Sequence, residues 1–126
     1  MNREPVAEQL RYYRARASEY EMWFERLGRY DLGSEENARW FEEVDEARKA
    51  LDNQGPVDAA LELACGTGLW TSQLLPMTIT LTAVDAAPEM LALNRERVAS
   101  DRVEYIEADL FDWEPDRRYD LIFFGY

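Results

Sequence analysis

The chain has 126 residues, of which 47% are hydrophobic and 13% aromatic, and this composition is typical of a globular protein. Its formal net charge of -12 argues against binding to nucleic acid or to an anionic membrane, since both need clustered basic residues. With no histidine and one cysteine, Cys65, the chain cannot by itself build a Ser-His-Asp triad, a histidine-ligated metal site or an internal disulfide. We therefore expect no bound metal and a cytoplasmic location.

The first 55 residues are predicted to be helical. Apolar residues recur at spacings of four and three from Val6 to Leu27, which predicts one amphipathic helix or a broken pair. A second helix is predicted to begin near Ser34, because serine is a favourable N-cap. Its inward side is predicted to carry Phe41, Val44, Ala47 and Leu51. The pattern changes near residue 55, so we predict an N-terminal helical cap over residues 1–55 and a second domain over residues 56–126.

From Val57 onward, predicted strands alternate with predicted helices. The strands are predicted over residues 57–63, 78–84, 103–108 and 119–124, and the helices over residues 69–75 and 88–98. Strands separated by helices of this length indicate right-handed crossovers and a parallel sheet with helices on both faces. The sequence therefore predicts an α/β fold for this domain.

Distinctive residues follow three of the predicted strands. Gly66 and Gly68 come directly after the first strand, Asp85 ends the second, and Asp109 ends the third. Ligands of open parallel sheets bind at the carboxyl ends of the strands, where a glycine pair lets the backbone approach closely. There Asp85 could accept hydrogen bonds from a ribose diol, and Asp109 could accept from an adenine amino group. Either aspartate alone is equally well explained as a strand-end cap, but the three features together favour a nucleotide-like ligand.

The spacing around the glycine pair narrows the choice of ligand. A dinucleotide fingerprint needs a third glycine, which packs the following helix close to a pyrophosphate. Thr71 occupies that position here, and no phosphate-binding G-x-x-x-x-G-K-[ST] segment is present. The pattern therefore disfavours NAD and favours an adenosine ligand without phosphates.

Four segments then resemble, in order, the motifs of class I S-adenosylmethionine-dependent methyltransferases. They are Leu61–Gly68, Ala83–Leu91, Ile106–Leu110 and Tyr119–Phe124. The resemblance implies a Rossmann-like parallel sheet of order 3-2-1-4, flanked by helices, with S-adenosyl-L-methionine as cofactor. The helical segment also resembles the N-terminal cap of the small-molecule branch of that family, which implies a small-molecule methyl acceptor.

The resemblance implies a cofactor site made of Tyr13, Tyr20, Glu62, Ala64, Gly66, Gly68, Asp85, Ala86, Met90, Asp109 and Leu110. In it, Asp85 binds the ribose hydroxyls, Asp109 and Leu110 recognise the adenine, and Ala86 and Met90 flank the adenine ring.

The other members of this site have distinct implied roles. Glu62 orients the glycine loop, and residues 64, 66 and 68 line the methionine portion. Ala64 departs from the family, in which glycine is common at this position. Tyr13 and Tyr20 close over the cofactor in this interpretation, although aromatic residues at helical spacing are also explained by core packing.

Family members continue past the fourth strand into the half that carries most substrate contacts. The chain ends at Tyr126, so we expect an N-terminal fragment or a natural half-protein, and the sequence names neither the acceptor nor a catalytic base. A non-catalytic module that binds S-adenosylmethionine or S-adenosylhomocysteine, or an inactive truncated domain, is the alternative interpretation. In a sheet of order 3-2-1-4, Leu121–Phe124 would form an apolar edge, which predicts a homodimer or a domain swap through that edge.

Overall fold

The computed structural model describes residues 4–124, with the backbone alone for residues 4–6 and 10. It divides into two units, a helical unit that ends at Gln54 and a sheet unit that begins at Gly55. No helix in this described part of the chain is long and apolar enough to cross a membrane. The cytoplasmic location stays a prediction.

The helical unit contains two long helices, α1 (Glu4–Glu25) and α2 (Ser34–Gln54), with a short 3₁₀ turn at Gly28–Tyr30 between them. The first segment is thus one continuous helix rather than a broken pair. Aromatic side chains join α1 to α2: the rings of Trp23 and Trp40 lie 4.9 Å apart, and the indole N–H of Trp40 donates to the Phe24 carbonyl at 2.7 Å. The end of α1 is therefore fixed by a polar contact as well as by ring packing.

The inward side of α2 was predicted only in part. Val44 and Leu51 are buried and Ala47 is half-buried, as expected from their helical spacing. Phe41 is 44% exposed, and its prediction as an inward residue is wrong. The reason is local, because Phe41 lines an open depression of about 540 Å³ in the surface of the helical unit.

The sheet unit contains four parallel strands in the order β3-β2-β1-β4, which confirms the predicted fold and strand order. The strands are β1 (Val57–Leu63), β2 (Thr78–Asp85), β3 (Val103–Glu107) and β4 (Leu121–Phe124). Two helices accompany them, α3 (Thr71–Leu74) and α4 (Pro88–Val98). The β-branched and apolar residues of β1 and β2 form the buried centre, and Ala60, Leu81, Ala83 and Val84 are at most 1% exposed.

Two element boundaries differ from the prediction for identifiable reasons. The fourth strand begins at Leu121 rather than Tyr119, because the side chain of Asp120 accepts the N–H of Ala59 at 2.9 Å where a backbone carbonyl would continue the ladder. Helix α3 is shorter than the predicted 69–75, and Pro76 lies in a 3₁₀ turn, Leu75–Met77, that follows it directly. Proline is tolerated there because the first N–H groups of a helical turn have no partner within it.

Candidate cofactor site

The carboxyl ends of β1, β2 and β3 meet at one edge of the sheet. The register pairs Leu63 with Val84 and Asp85 with Glu107, so the residues that follow each strand are neighbours. Two backbone hydrogen bonds extend this contact beyond the strands. The N–H of Cys65 donates to the Val84 carbonyl at 3.0 Å, and the N–H of Ala108 donates to the Asp85 carbonyl at 3.1 Å.

The turn after β1 has an unusual backbone conformation. Ala64, Gly66 and Gly68 all have positive φ, at 54°, 54° and 98°. Glycine adopts this region freely, whereas an alanine there costs about 1–2 kcal/mol. A Cβ built on Gly66 would meet nothing within 4 Å, so this turn, residues 64–68, has open space beside its first glycine.

Cys65 lies inside this turn and is buried with a free thiol. Burial is the main cause that raises the pKa of this thiol, and the carboxylates of Glu62 and Asp85 raise it further. The sulfur therefore stays protonated at neutral pH and packs as a small apolar side chain rather than as a nucleophile.

Asp85 joins the second strand end to the glycine turn. One carboxylate oxygen accepts the N–H of Gly66 and the other accepts the N–H of Ala87, both at 2.9 Å. A carboxylate has about four acceptor positions, so each oxygen keeps a lone pair for a further donor. Asp85 is half-buried, and a ligand beside the turn can therefore reach it.

Glu62 lies beneath the turn, where it is 2% exposed, and it accepts the hydroxyl proton of Thr71 at 2.5 Å. Burial raises the pKa of this carboxyl group to about 7; the Thr71 hydrogen bond opposes the shift and the charge of Asp85 adds to it. Glu62 is thus held by a buried protein partner, Thr71, the residue at the third-glycine position of the dinucleotide pattern.

The remaining predicted residues of the sheet unit follow the same strand ends. Asp109 is exposed and lies two residues past β3, where its carboxylate accepts the N–H of Phe111 at 2.9 Å. Leu110 and Met90 are half-buried, and Ala86 is exposed beside Asp85. The structure thus brings the glycine turn and Asp85 into direct contact, and it places the segment of Asp109 next to Asp85 through Ala108.

Tyr13 and Tyr20 belong to α1, and their ring contacts lie within the helical unit. Tyr13 packs edge-on against Tyr12 at 5.4 Å, and Tyr20 packs against Trp23 at the same centroid distance. Both tyrosines are only half-buried and Tyr12 is 55% exposed, so these contacts do not place either ring in a buried core. The role of both tyrosines at the cofactor stays a prediction.

Sequence reasoning missed two polar residues near the turn. Thr67 is 5% exposed, and its hydroxyl oxygen has no hydrogen-bond partner among residues 4–124. Asn94 on α4 is fully buried, on the same helix as the buried Leu91. The signal for Asn94 was available, because it stands three residues after Leu91 on the same helical face.

Comparison with known proteins agrees with this geometry. The family model described as "Methyltransferase domain" matches residues 60–126. The structure of the DhpI–SAH complex superimposes with a TM-score of 0.65 and 36% identity over 98% of this chain and 54% of that chain. Nodulation protein S of Sinorhizobium fredii (strain NBRC 101917 / NGR234) is 35% identical over 56% of this chain and 33% of its own length. Trans-aconitate 2-methyltransferase of Escherichia coli O157:H7 is 35% identical over 61% of this chain and 29% of its own length.

The sheet order, the glycine turn and these similarities define the fold of class I S-adenosylmethionine-dependent methyltransferases. The chain belongs to the methyltransferase-domain family. The resemblance stated from the four sequence motifs is thereby confirmed. The chain spans about half the length of the DhpI structure and a third or less of the two other relatives.

Proposed function

We propose that the sheet unit binds S-adenosyl-L-methionine at the glycine turn and forms the cofactor-binding part of a methyltransferase that acts on a small molecule. The observation that carries the proposal is the contact between Asp85 and Gly66. In this contact the Asp85 carboxylate, which is suited to a ribose diol, accepts a hydrogen bond from Gly66, beside which the backbone of the turn is open to a ligand.

The residues at this edge fit the proposed cofactor in three respects. Asp85 keeps an acceptor position on each oxygen, the turn has open space beside Gly66, and the Thr67 hydroxyl is buried without a partner among the described residues. The charges fit as well. The carboxylates of Asp85 and Asp109 at these strand ends disfavour a pyrophosphate and suit a ligand with a sulfonium and an ammonium group.

Each side chain then has a proposed part in holding the cofactor. Asp85 accepts the ribose hydroxyls, Asp109 and Leu110 contact the adenine, and Ala86 and Met90 flank its ring. Residues 64, 66 and 68 line the methionine portion, and Glu62 supports them from beneath. When bound, the cofactor supplies a methyl group attached to a positively charged sulfur. No residue of this chain is nominated as a base.

The acceptor is proposed from the relatives. The similarity to a trans-aconitate 2-methyltransferase, whose name states a small organic acid as acceptor, supports a small-molecule acceptor. We propose no acceptor atom, because this chain covers a third or less of the length of these relatives.

Calorimetric titration of the chain with S-adenosylmethionine, S-adenosylhomocysteine and NAD tests the proposal. We expect binding of the first two and none of NAD, and we expect Asp85→Ala to weaken binding more than about tenfold, the effect of losing about two hydrogen bonds of net strength near 1 kcal/mol each. Asp58→Ala is the matched control, because Asp58 is an exposed aspartate at the opposite end of β1. Unchanged affinity in Asp85→Ala would contradict the proposed pocket. Binding without methyl transfer to any acceptor would support the non-catalytic alternative.

The edge of β4 supports a proposed pairing with a second copy of the chain. Ile122 and Phe124 are 61% and 66% exposed, and within the described residues β4 pairs with β1 on one side only. An apolar strand edge of this kind favours pairing with another strand. We expect a dimer or a domain-swapped dimer in light scattering at high concentration, and a monodisperse monomer would contradict this expectation.

A further inference from the structure

Asn94 is a polar residue at a fully buried position of α4, where it is 0% exposed. Both ends of its side-chain amide are used. The oxygen accepts the hydroxyl of Tyr105 at 2.7 Å, and the nitrogen donates to the Thr71 hydroxyl oxygen at 2.9 Å and to the Gly66 carbonyl at 3.2 Å. Buried polar networks of this kind fix one arrangement when all members have partners.

The orientation of the amide follows from the chemistry of its partners. The Thr71 hydroxyl donates its single proton to Glu62, so towards Asn94 its oxygen can only accept. The carbonyl of Gly66 also can only accept. The amide nitrogen must therefore face Thr71 and Gly66, and this turns the amide oxygen towards Tyr105, whose hydroxyl donates to it.

Asn94 thereby contacts both glycines of the turn. Gly66 is held from two sides, because its N–H donates to Asp85 at 2.9 Å and its carbonyl accepts from Asn94. Gly68 packs against the same side chain, and a Cβ built on Gly68 would lie 3.0 Å from two atoms of the Asn94 amide group. One buried amide thus determines where the backbone of the turn can lie.

We infer that Asn94 is a positioning residue for the cofactor site: oriented by Tyr105, its amide holds the Gly66 peptide so that the Gly66 N–H stays joined to Asp85. The identity of the ligand in this inference rests on the proposed function, whereas the effect of Asn94 on the position of the turn does not depend on it. The hydroxyl of Tyr105 on β3 donates to Asn94, which in turn donates to the Gly66 carbonyl, so this chain of hydrogen bonds links the turn to a strand that lies two places away from β1 in the sheet. Removal of the Tyr105 hydroxyl is therefore expected to loosen a turn that this hydroxyl does not touch.

The test compares Tyr105→Phe and Asn94→Leu with the parent chain. The first readout is the hydrogen-exchange rate of the Gly66 amide, measured by NMR without ligand and referred to the Val84 amide in the centre of the sheet. The second is the calorimetric Kd of S-adenosylhomocysteine. We expect Tyr105→Phe to accelerate Gly66 exchange and to raise the Kd by about fivefold, the usual effect of one lost hydrogen bond. We expect Asn94→Leu to increase both the exchange rate and the Kd further than Tyr105→Phe does.

Tyr119→Phe is the matched control. Tyr119 is a half-buried tyrosine of the same unit whose hydroxyl donates to the Thr82 hydroxyl at 3.3 Å, away from the turn, so neither readout should change. Equal Gly66 exchange and equal Kd in Tyr105→Phe and the parent would overturn the inference, even if Asn94→Leu fails to fold. Uniform acceleration of exchange across the sheet with an unchanged Kd would also overturn it, because that result indicates a purely structural role. If the parent chain binds no S-adenosylhomocysteine, the proposed function fails, and Gly66 exchange alone still decides whether Asn94 positions the turn.

Discussion

The two units differ in their main polar contacts, although exposed ion pairs occur in both, as at Arg117 and Glu104 of the sheet unit. In the helical unit the described ion pairs lie at the surface: the side chains of Glu19 and Arg29 are 49% and 70% exposed, and those of Asp45 and Lys49 are 56% and 71% exposed. In the sheet unit the main polar network, from Glu62 through Thr71 to Asn94, consists of buried residues. Surface pairs contribute little to stability, whereas a buried network fixes geometry and is costly to break.

This difference indicates that the geometry of the turn in the sheet unit is fixed more closely than the packing of the helices in the helical unit. The helices are joined by one directed hydrogen bond, from the Trp40 indole to the Phe24 carbonyl, and otherwise by aromatic packing and by the guanidinium of Arg26, which lies 3.6 Å from the centre of the Trp40 ring. Packing contacts of this kind tolerate small shifts. The turn after β1 is held by directed hydrogen bonds to Asp85 and Asn94, and directed bonds of this kind do not tolerate small shifts. The proposed recognition of a ribose diol needs the second kind of support. Changes of equal chemistry in the two units should therefore have unequal effects.

The largest difference is expected between two glycines of nearly identical backbone conformation. Gly68 has φ of 98° and Gly33, in the helical unit, has φ of 97°. A Cβ on Gly68 would lie 3.0 Å from Asn94, whereas a Cβ on Gly33 would meet nothing within 4 Å. We expect Gly68→Ala to lower the free energy of unfolding by about 2–5 kcal/mol, from backbone strain plus overpacking, and Gly33→Ala by about 1–2 kcal/mol, from strain alone.

Urea unfolding of the two variants and the parent measures both changes. Gly33→Ala is the control, because it introduces the same methyl group at the same φ without a neighbour. Equal losses in the two variants would show that Asn94 yields to the methyl group, and would contradict the tight packing of the buried network against Gly68.

The turn was predictable from sequence because its signals are local, whereas the strand order was implied by the resemblance to the methyltransferase family. Glycines after an apolar run and aspartates at strand ends mark the edge of a sheet whatever the rest of the chain does. The hydrogen bonds that support the turn from beneath could not be predicted from sequence, because Asn94 and Tyr105 are eleven residues apart and meet only in the folded sheet unit. The exposure of Phe41 escaped prediction for a similar reason, since helical spacing fixes a face but not what covers it.

A second difference is expected between two carboxyl groups, and it has a sign that pH reveals. Burial raises the pKa of Glu62 in the folded chain to about 7, from an ordinary value of 4.5. The folded chain holds the Glu62 proton more tightly than the unfolded chain does. The contribution of Glu62 to the free energy of unfolding is therefore complete below pH 4.5 and is lost as pH rises through about 7. The loss of stability should approach about 3 kcal/mol in the parent chain. Glu62→Gln should show no such loss, since its amide oxygen can still accept from Thr71 but cannot ionise. Urea unfolding at intervals from pH 5 to pH 8 gives the difference between variant and parent.

The same substitution in the helical unit, Glu19→Gln, provides the matched control and has the opposite sign. Hydrogen bonds from the Tyr30 hydroxyl and from Arg29 lower the pKa of Glu19, so its contribution is present above the ordinary pKa and is lost as pH falls through the lowered one. Between pH 5 and pH 8 the difference between Glu19→Gln and the parent should therefore stay constant, and it should shrink with added salt because the pair is exposed. A constant difference for Glu62→Gln over that range would instead show that Glu62 is ionised throughout, and that burial beneath the turn does not keep its proton on.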